Sequence, residues 1–228
     1  AIRVGLRGIR QMGPVNLGRI LEERARGPFV DTVDFRRRTG VNENLLTSLI
    51  LAGAFDSLGL SRKQCLMNLK NQSRLKEYRE PDSEDYSTKE KVGFELEYLG
   101  LDLTAHIISL YRKGLDQIGV LRSEELRKRG DGEKVVVAGM KILLHTPPTR
   151  SGVRVVFATL EDETGVTDVT VFPVTQEQDA PVLFTSDLLV VEGTTHRRGT
   201  SISINAERIF DLKDALSHHI TGKRISVA

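Results

Sequence analysis

Apolar residues recur at helical spacing through the first third of the chain. Leu17, Ile20 and Leu21 fall at positions i, i+3 and i+4, the spacing of one face of a helix. Asn42, a residue type that often caps helix starts, precedes a second apolar run that ends at a glycine. A third helical stretch begins at Ser61. The pattern predicts that the first 80 residues are helical, with short connections.

The pattern changes at Glu133, where segments rich in Val, Ile, Thr and Phe begin. Turn-prone residues separate five such segments: KVVVAGMKILL, VRVVFATLED, VTDVTVFP, DLLVVEGTTHR and TSISINAERIFDL. The longest connection, VTQEQDAPVLFTS, follows the third segment and has room for a helix or an irregular crossover. Five strands with an insertion after the third match the strand order of an OB-fold barrel. A generic five-stranded barrel is the alternative.

The residues between these two parts are mixed in character. Residues 81–91 are polar and charged without an apolar period, so we predict an exposed linker there, followed by short bridging helices. The fold class is therefore predicted to be α+β, with two domains. The predicted divisions are an all-α unit at 1–80, a linker with bridging helices at 81–132, an OB-fold domain at 133–212 and a C-terminal tail at 213–228.

The composition narrows the class of protein. Hydrophobic residues make up 39% and charged residues 28%, and no apolar run approaches the roughly 20 residues that span a bilayer. We therefore predict no membrane segment. Cys65 is the single cysteine and the chain start is not signal-like, which together predict a cytoplasmic protein without internal disulfides. Because Ala1 stands where the pattern predicts a folded element, we expect a piece of a longer protein.

The net charge of +2 conceals an asymmetry along the chain. Residues 1–80 carry 15 lysines and arginines against 8 acidic residues, a net charge of +7. Residues 81–132 carry a net charge of −3, and residues 133–228 a net charge of −2. A basic N-terminal part points to a polyanionic partner, although arginines on a solvated helix face would give the same count.

Residues 6–26 read as helix, turn, helix, and Gly13 and Pro14 stand where the second helix begins. A helix N-terminus carries unsatisfied N–H groups and partial positive charge, so it can bind an anion. Glycine permits close backbone approach, and proline suits the first helical turn. The stretch IRQMGPVNLGRIL resembles a helix-hairpin-helix motif, in which the hairpin grips a DNA phosphate without reading bases. A hairpin that only packs against the rest of the protein is the alternative.

Two positions depart from that motif. The family usually places a glycine where this chain has Gln11, and often a lysine where it has Val15, which weighs against phosphate binding. Arginines around the hairpin and in the run RRR are suited to sequence-independent phosphate contacts. The candidate DNA-binding residues of this part are Arg7, Arg10, Gln11, Gly13, Arg19, Arg36, Arg37 and Arg38.

The predicted barrel offers a second set of candidates. In OB-folds, nucleic acid lies across strands 2 and 3 between the 1–2 and 4–5 loops. Those loops here are HTPPTRSG and HRRG, both basic, and two phenylalanines on strands 2 and 3 could stack on bases. With few aromatics in the chain, we expect at least one of the two in the core, and single-strand binding to be weak. The candidates are His145, Arg150, Phe157, Phe172, Arg197 and Arg198.

The resemblance extends beyond the hairpin. GLRGIRQMG, GPFVDTVDFRRRTGVNENLLTSLILAGAFDSLG, LEYLGLDLTAH and VRVVFATLEDETGVTDVTVFP together resemble, in this order, the C-terminal region of a bacterial C-family DNA polymerase III alpha subunit. LILAGAFDSLG and FATLEDETG are the most specific pieces. The stretch RSEELRKRGDGEKVVVAGMKILL is more similar to the error-prone, translesion homologue than to the main replicative subunit.

The resemblance implies a tandem helix-hairpin-helix unit followed by an OB domain, in a parent that is a DNA-directed DNA polymerase acting in replication or repair. The nucleotidyltransferase domains would lie upstream, so we expect no catalysis from this region itself. Polymerase accessory proteins are expected partners. Replicative members carry a sliding-clamp peptide, but the nearest counterpart here, Gln72 to Leu75, lacks its terminal aromatic, and we do not expect a clamp contact through it.

Other chemistry has little support in the sequence. Glu161, Asp162 and Glu163 are adjacent carboxylates, but neighbouring strand residues point to opposite faces, whereas metal ligands converge. We predict a turn there, with Gly165 taking the unusual backbone angle. The histidines lack ligand spacing and Cys65 lacks a partner, so we predict no metal, no cofactor and no catalytic residue in this region.

The leading hypothesis is a non-catalytic region that holds duplex DNA through the helical unit and a single-stranded template or a protein partner through the barrel. The first alternative is a protein–protein scaffold without DNA binding, favoured by Gln11 and the acidic barrel. The second is an OB-type RNA-binding module, because FATLEDETG has relatives in tRNA synthetases.

Overall fold

The computed structural model describes residues 4–70, 84–148, 152 and 154–220. The chain forms two compact units, Ala1–Ala105 and His106–Ala228. These boundaries differ from the predicted ones, because residues 84–105 pack with the first unit and residues 106–132 with the second. Two predictions, Arg150 and the Gln72 to Leu75 segment, lie outside the described residues.

The described residues of the first unit form helices and no strands, as predicted. Side chains of Asp31 and Asn42 accept hydrogen bonds from Asp34 N and Leu45 N, which caps the second and third helices as the sequence pattern suggests. The helices are α1 (Pro14–Ala25), α2 (Thr32–Thr39), α3 (Glu43–Leu51), α4 (Arg62–Lys70) and α5 (Thr88–Leu99), with 3-10 turns at Leu6–Gly8 and Asp56–Leu58.

Two local predictions in this unit were wrong. The first arm of the hairpin at residues 6–26 is only the 3-10 turn Leu6–Gly8, too short to be a helix. Part of the predicted linker at 81–91 is helical, since α5 begins at Thr88. Ser87 and Glu90 cap this start reciprocally, and the capping box outweighs the missing apolar period.

Aromatic and aliphatic side chains fill the core of the first unit. Phe35 packs edge-on against Phe29 at a ring distance of 4.8 Å and against Phe55 at 5.0 Å. Leu46 and Leu49 of α3 are fully buried beside them. The burial of α3 on nearly all sides explains why its sequence is a continuous apolar run.

A buried ion pair crosses this core. Arg62 Nη2 donates to Glu95 Oε1 at 2.7 Å, and both side chains are almost completely buried. The Arg62 guanidinium also donates to Leu51 O at the end of α3 and to Asp56 in the 3-10 turn. A Cβ at Gly53 would lie 2.5 Å from Arg62 Nη2, so this position accepts only glycine.

The Glu95 carboxylate receives further donors. Leu103 N and Thr104 N donate to its Oε2 at 2.7 and 2.8 Å, and the Thr104 hydroxyl donates to Oε1. Burial by itself would raise the pKa of Glu95, but the hydrogen bonds from Thr104, Arg62 and Leu103 hold it below its ordinary value. The pair therefore joins α3, α4, α5 and the residues after α5.

The second unit contains a closed five-stranded barrel, which confirms the OB-fold prediction. The strand order around the barrel is β1-β2-β3-β5-β4, with β3 and β5 parallel and the other pairs antiparallel. The strands are β1 (Lys134–His145), β2 (Val156–Asp162), β3 (Gly165–Val171), β4 (Leu188–Arg198) and β5 (Ser201–Asp211).

Four helices accompany the barrel among the described residues of this unit. The insertion after β3 forms α8, as the length of that connection allows. The first part of the predicted C-terminal tail is also helical. The helices are α6 (Arg112–Gln117), α7 (Ser123–Leu126), α8 (Pro173–Thr185) and α9 (Leu212–Ile220), and a 3-10 turn spans Ile107–Tyr111.

Only part of the outer barrel surface is covered by these elements. Val136 and Val190, on the outer side of β1 and β4, pack with Ile108, Leu115 and Leu212 in a second apolar cluster. The barrel interior is a separate core that holds Val156, Leu160 and Val169 among others. The outer side of β2 and β3 carries Phe157 and Val166, both more than 40% exposed. This sheet face is therefore open.

We predict that Glu95→Gln lowers the free energy of unfolding by about 3 kcal/mol, because it leaves a buried guanidinium without its buried counter-charge. The folded pKa of Glu95 is lowered, so its contribution is complete above the ordinary value of 4.5 and is lost as pH falls through the folded value. Urea unfolding of the helical signal across pH measures both effects. Glu97→Gln, on the exposed side of α5, is the control, and equal effects of the two variants would contradict the prediction.

Candidate nucleic-acid interfaces

The turn before α1 is held in an uncommon backbone conformation. Gln11 has φ 68°, and it is the sole non-glycine residue with positive φ among those described. Met12 N donates to Ile9 O at 3.1 Å and Gly13 N to Gln11 O at 3.0 Å, which closes the turn. A left-handed conformation costs a non-glycine residue about 1–2 kcal/mol. The backbone thus takes the shape for which the related motif uses glycine.

The N-terminus of α1 is open. Gly13 precedes the helix and has no side chain to cap it, and Pro14 occupies the first turn. Leu17 N is bonded to Gly13 O at 3.0 Å, so the N–H groups of Val15 and Asn16 precede the first intrahelical bond. Apart from Gly13 itself and its chain neighbours, no described atom lies within 4 Å of a Cβ built on Gly13, and Val15 is 73% exposed. An anion can reach these amides directly.

The arginines near this turn differ in their contacts. Arg7 and Arg10 are exposed, and neither side chain makes a hydrogen bond or ion pair within the described part of the chain. Arg19 Nη1 donates to Thr39 O at 3.2 Å and so joins α1 to the end of α2. Arg7 and Arg10 therefore have charge to spare for a ligand, whereas Arg19 already has a structural contact.

The three consecutive arginines of α2 have three different environments. Arg36 lies 4.0 Å from Glu43, and Arg37 binds Asp34 at 2.8 Å with 77% of its side chain exposed. Arg38 is only 19% exposed. Its guanidinium donates to Pro28 O and Gly27 O, each at 3.0 Å, and to Glu23 O, and it lies 4.4 Å from the Phe29 ring. Arg38 thus orders the loop between α1 and α2.

On the barrel, the open face is organised in cross-strand rows. His145 of β1, Phe157 of β2 and Thr170 of β3 are neighbours in the ladder, and Thr170 pairs in turn with Asn205 of β5. Phe157 is 41% exposed, so its ring is available to a ligand. The predicted strand position of Phe157 is confirmed. The predicted strand position of Phe172 is wrong, since Phe172 follows β3 as the cap of α8. Phe172 is 43% exposed, so neither ring belongs to the core, contrary to the expectation that at least one would.

The next rows of this face carry negative charge. Thr159 lies between Leu143 and Asp168, and its hydroxyl donates to Asp168 Oδ1 at 2.9 Å. Glu161 pairs with Val166 one row further along. Phosphate groups would be repelled from this part of the sheet, while uncharged bases would not.

The β4–β5 hairpin places its two arginines differently. Arg197 Nη2 donates to Arg127 O at 2.8 Å and Arg129 O at 2.6 Å, while its backbone N donates to Asp131 Oδ1 at 2.7 Å. Arg198 is exposed at the hairpin tip, where Gly199 has φ 62°. Of the two predicted contacts, Arg198 is the one that is free to reach a ligand.

Of the three adjacent carboxylates at the end of β2 and in the turn after it, Asp162 and Glu163 have separate partners. Asp162 Oδ1 accepts from Thr164 N and Gly165 N, and its Oδ2 accepts from Ser123 N. Glu163 binds Arg112 at 2.6 Å. Gly165 has φ 154°, so the predicted turn is confirmed. Within the described residues, no group of three or more His, Cys, Asp or Glu side chains is placed to hold a metal ion.

The sequence analysis missed one basic segment. Arg127, Lys128 and Arg129 follow α7, are all exposed, and are brought beside the β4–β5 hairpin by Arg197. Three consecutive cations in LRKRG were the available signal. Their nearness to the hairpin depends on contacts between residues 68 to 70 positions apart, which the sequence does not reveal.

Two family models match this chain. A helix-hairpin-helix motif matches residues 1–65, and an OB-fold nucleic acid binding domain matches residues 135–212. Both matches agree with the folds of the two units. No described helix has the length and apolar character required to cross a membrane.

Several proteins are similar over most of the chain. The error-prone DNA polymerase of Symbiobacterium thermophilum is 33% identical over 246 residues, covering 92% of this chain and 23% of that protein. The error-prone DNA polymerase of Allorhizobium ampelinum is 29% identical, covering 95% of this chain and 21% of that protein. The chain thus spans about a fifth of the length of these relatives. The asparaginyl-tRNA synthetase structure from Pyrococcus horikoshii matches 42% of this chain with a TM-score of 0.35 and 19% identity.

We predict that Arg38→Gln lowers the free energy of unfolding by about 2 kcal/mol, because loop carbonyls at residues 23–28 lose their donor. The neighbouring Arg37→Gln removes the same charge from an exposed side chain and should cost less than about 0.5 kcal/mol. Thermal or urea unfolding of the two variants measures the difference. Equal losses would show that Arg38 is not a structural residue.

Proposed function

Because this chain is homologous over most of its length to the C-terminal part of error-prone DNA polymerases, we propose that it is the non-catalytic DNA-binding region of such a polymerase. The helical unit holds duplex DNA through its phosphates, and the OB domain holds a single-stranded template. The parent protein would act in DNA replication or translesion synthesis in the cytoplasm, with accessory proteins as further partners.

The observation that carries the duplex assignment is the open N-terminus of α1. The amides of Val15 and Asn16 at the start of α1 adjoin the Gln11 turn, and Arg7 and Arg10 lie close by in sequence with unused charge. Backbone amides at a helix start, together with nearby cations, suit a phosphate without reading the base sequence. A polymerase needs contacts of this kind because they are the same at every template position.

The observation that carries the single-strand assignment is the Phe157 row on the open barrel face. An exposed aromatic ring on the open face of an OB sheet suits base stacking, and His145 beside it can donate a hydrogen bond. Arg198 at the hairpin tip supplies a cation at one edge. A protein-binding role for this face is the second candidate, because Asp168 and Glu161 make its centre acidic.

We predict that Val15→Lys tightens duplex binding and steepens its salt dependence by about 0.9 in the slope of log K against log salt, the value for one new phosphate contact. Arg7→Gln with Arg10→Gln should reduce that slope by about 1.8. Fluorescence anisotropy of the whole chain with a labelled duplex across a salt series measures both changes.

Val30→Lys is the matched control for this experiment. Val30 is 77% exposed, against 73% for Val15, and it lies beyond the other end of α1, which is about 18 Å long. The added charge is the same, so an equal gain from Val30→Lys would mean that the α1 N-terminus is not the binding site. Absence of duplex binding by the unmodified chain at low salt would favour the scaffold alternative.

We predict that Phe157→Ala weakens single-strand binding by about 1–3 kcal/mol, the loss of one stacked base. Asp168→Asn should strengthen it several-fold, because the amide oxygen still accepts from Thr159 while the charge that repels phosphate is removed. Anisotropy with a labelled oligonucleotide measures both. If neither variant changes single-strand affinity, the open face serves a protein partner instead.

A further inference from the structure

Three consecutive cations after α7 have no role in the function proposed above. Arg127, Lys128 and Arg129 are all exposed. Among the described residues, their one ion pair joins Arg129 to Glu133 at 3.5 Å, and both of these side chains are more than 40% exposed. Such an exposed pair contributes little to stability. A run of exposed cations in an unattached loop would not indicate a binding site. The backbone of this run, however, is attached to the barrel.

The backbone of this segment is fixed to the end of β4. Arg197 donates three side-chain hydrogen bonds to the carbonyls of Arg127 and Arg129. Thr195 extends the attachment, since its hydroxyl donates to Gly130 O at 2.8 Å and accepts from Glu133 N at 2.8 Å. A segment held by this many bonds loses little further entropy when its side chains bind a ligand.

The attachment places the cations at one end of the open sheet face. A Cβ built on Gly165 would lie 2.8 Å from Arg127 Nη2, so the Arg127 guanidinium lies against the β2–β3 turn. Arg198 extends the positive charge along the β4–β5 hairpin. We name this surface the basic rim and define it as Arg127, Lys128, Arg129 and Arg198, with Arg197 as its anchor.

The acidic groups close to the rim leave it positive. Asp131 accepts from Arg197 N and lies 3.7 Å from His196, and Glu133 faces Arg129. Glu163 at the same turn is already bound by Arg112 and Arg122. The rim and its anchor thus carry five arginines and lysines against three nearby carboxylates, those of Asp131, Glu133 and Glu124, whose backbone N donates to Thr164 in the same turn.

We propose that the basic rim binds the phosphate backbone of the same single strand whose bases lie on the Phe157 row. This inference rests on the single-strand function proposed for the barrel. The face between Phe157 and the rim carries Glu161 and Asp168, which repel phosphates but tolerate uncharged bases. A nucleic acid can satisfy both conditions by turning its bases to the sheet and its backbone to the rim. An extended run of acidic residues, in contrast, carries charge on both sides, because successive side chains point in opposite directions.

The geometry sets a minimum length for the ligand. Phe157 lies near the start of β2, and the rim lies at the turn after Asp162, which is about 17 Å further along the strand. A very short oligonucleotide can occupy the Phe157 row without reaching the rim. One whose length approaches the upper end of OB-fold site sizes, about 16 nucleotides, can contact both.

The test compares two charge-matched double variants of the whole chain. Arg127→Gln with Lys128→Gln, called the rim variant, removes two positive charges from the basic rim. The control, called the α6/α9 variant, is Lys113→Gln with Lys213→Gln, which removes two exposed charges from α6 and α9. These two helices pack against each other, since Leu216 lies 3.0 Å from a Cβ built on Gly114. All proteins, including the reference that is otherwise unmodified, carry Arg7→Gln and Arg10→Gln so that the helical unit contributes little. Melting temperatures verify that each one is folded.

Labelled oligothymidylates of about 4 and about 16 nucleotides serve as probes across a salt series. With the longer probe, the rim variant should bind about tenfold more weakly and its salt slope should fall by about 1.4, the value for two single-strand phosphate contacts. With the shorter probe it should bind like the unmodified protein. The α6/α9 variant should match the unmodified protein with both probes.

The other outcomes separate this inference from the function on which it rests. If Phe157→Ala weakens binding while the rim variant does not, the rim inference is overturned and the barrel function stands. Equal losses in the two double variants, or a loss with the shorter probe as well, overturn the rim as a local site. If the unmodified protein binds neither probe at low salt, both the barrel function and the rim inference fail. Rim-dependent binding of polyglutamate without oligothymidylate binding would assign the surface to an acidic protein.

Discussion

The buried ion pair between Arg62 and Glu95 is the interaction on which the helical unit depends. Short helices bury too little surface to be stable alone, and those of this unit are 8 to 12 residues long. Arg62 reaches the end of α3 and the following 3-10 turn, while Glu95 accepts from residues beyond α5. Removing either partner would leave the other charged and buried, so the pair fixes one arrangement of the helices.

In the barrel unit, helical elements cover part of the outer barrel surface, and the part they leave uncovered is the surface available to a ligand. Residues 107–120 and α9 pack over the outer side of β1 and β4, where Val136 and Val190 need to be buried. That leaves the outer side of β2 and β3 as the open sheet face. Its rows run from Phe157, which suits bases, to Glu161, which repels phosphate. The unequal covering therefore determines both where a ligand can lie and how it must be oriented.

Most of the fold could be predicted from the sequence, but little of the candidate site could. Segments rich in Val, Ile, Thr and Phe correctly predicted the five strands, because β-branched and aromatic residues favour strands, and the long third connection left room for α8. The start of α5 was missed because a single capping box, Ser87 with Glu90, overrides a polar stretch. The buried role of Glu95 depends on a partner 33 residues away, which no local pattern indicates.

The number of arginines in a segment is a poor guide to nucleic-acid binding, because contacts with residues elsewhere in the chain decide which arginines are available. Arg38 and Arg197 are as basic in sequence as Arg37 and Arg198, yet their guanidinium groups are occupied by backbone carbonyls of distant loops. Such an arginine keeps its charge but loses its donors, so it orders a loop rather than gripping a phosphate. Its functional effect is indirect: Arg197 positions Arg127 and Lys128, whose own side chains remain exposed. In this chain, the arginines that hold the structure and those available to a ligand are adjacent in sequence and separable only by their contacts.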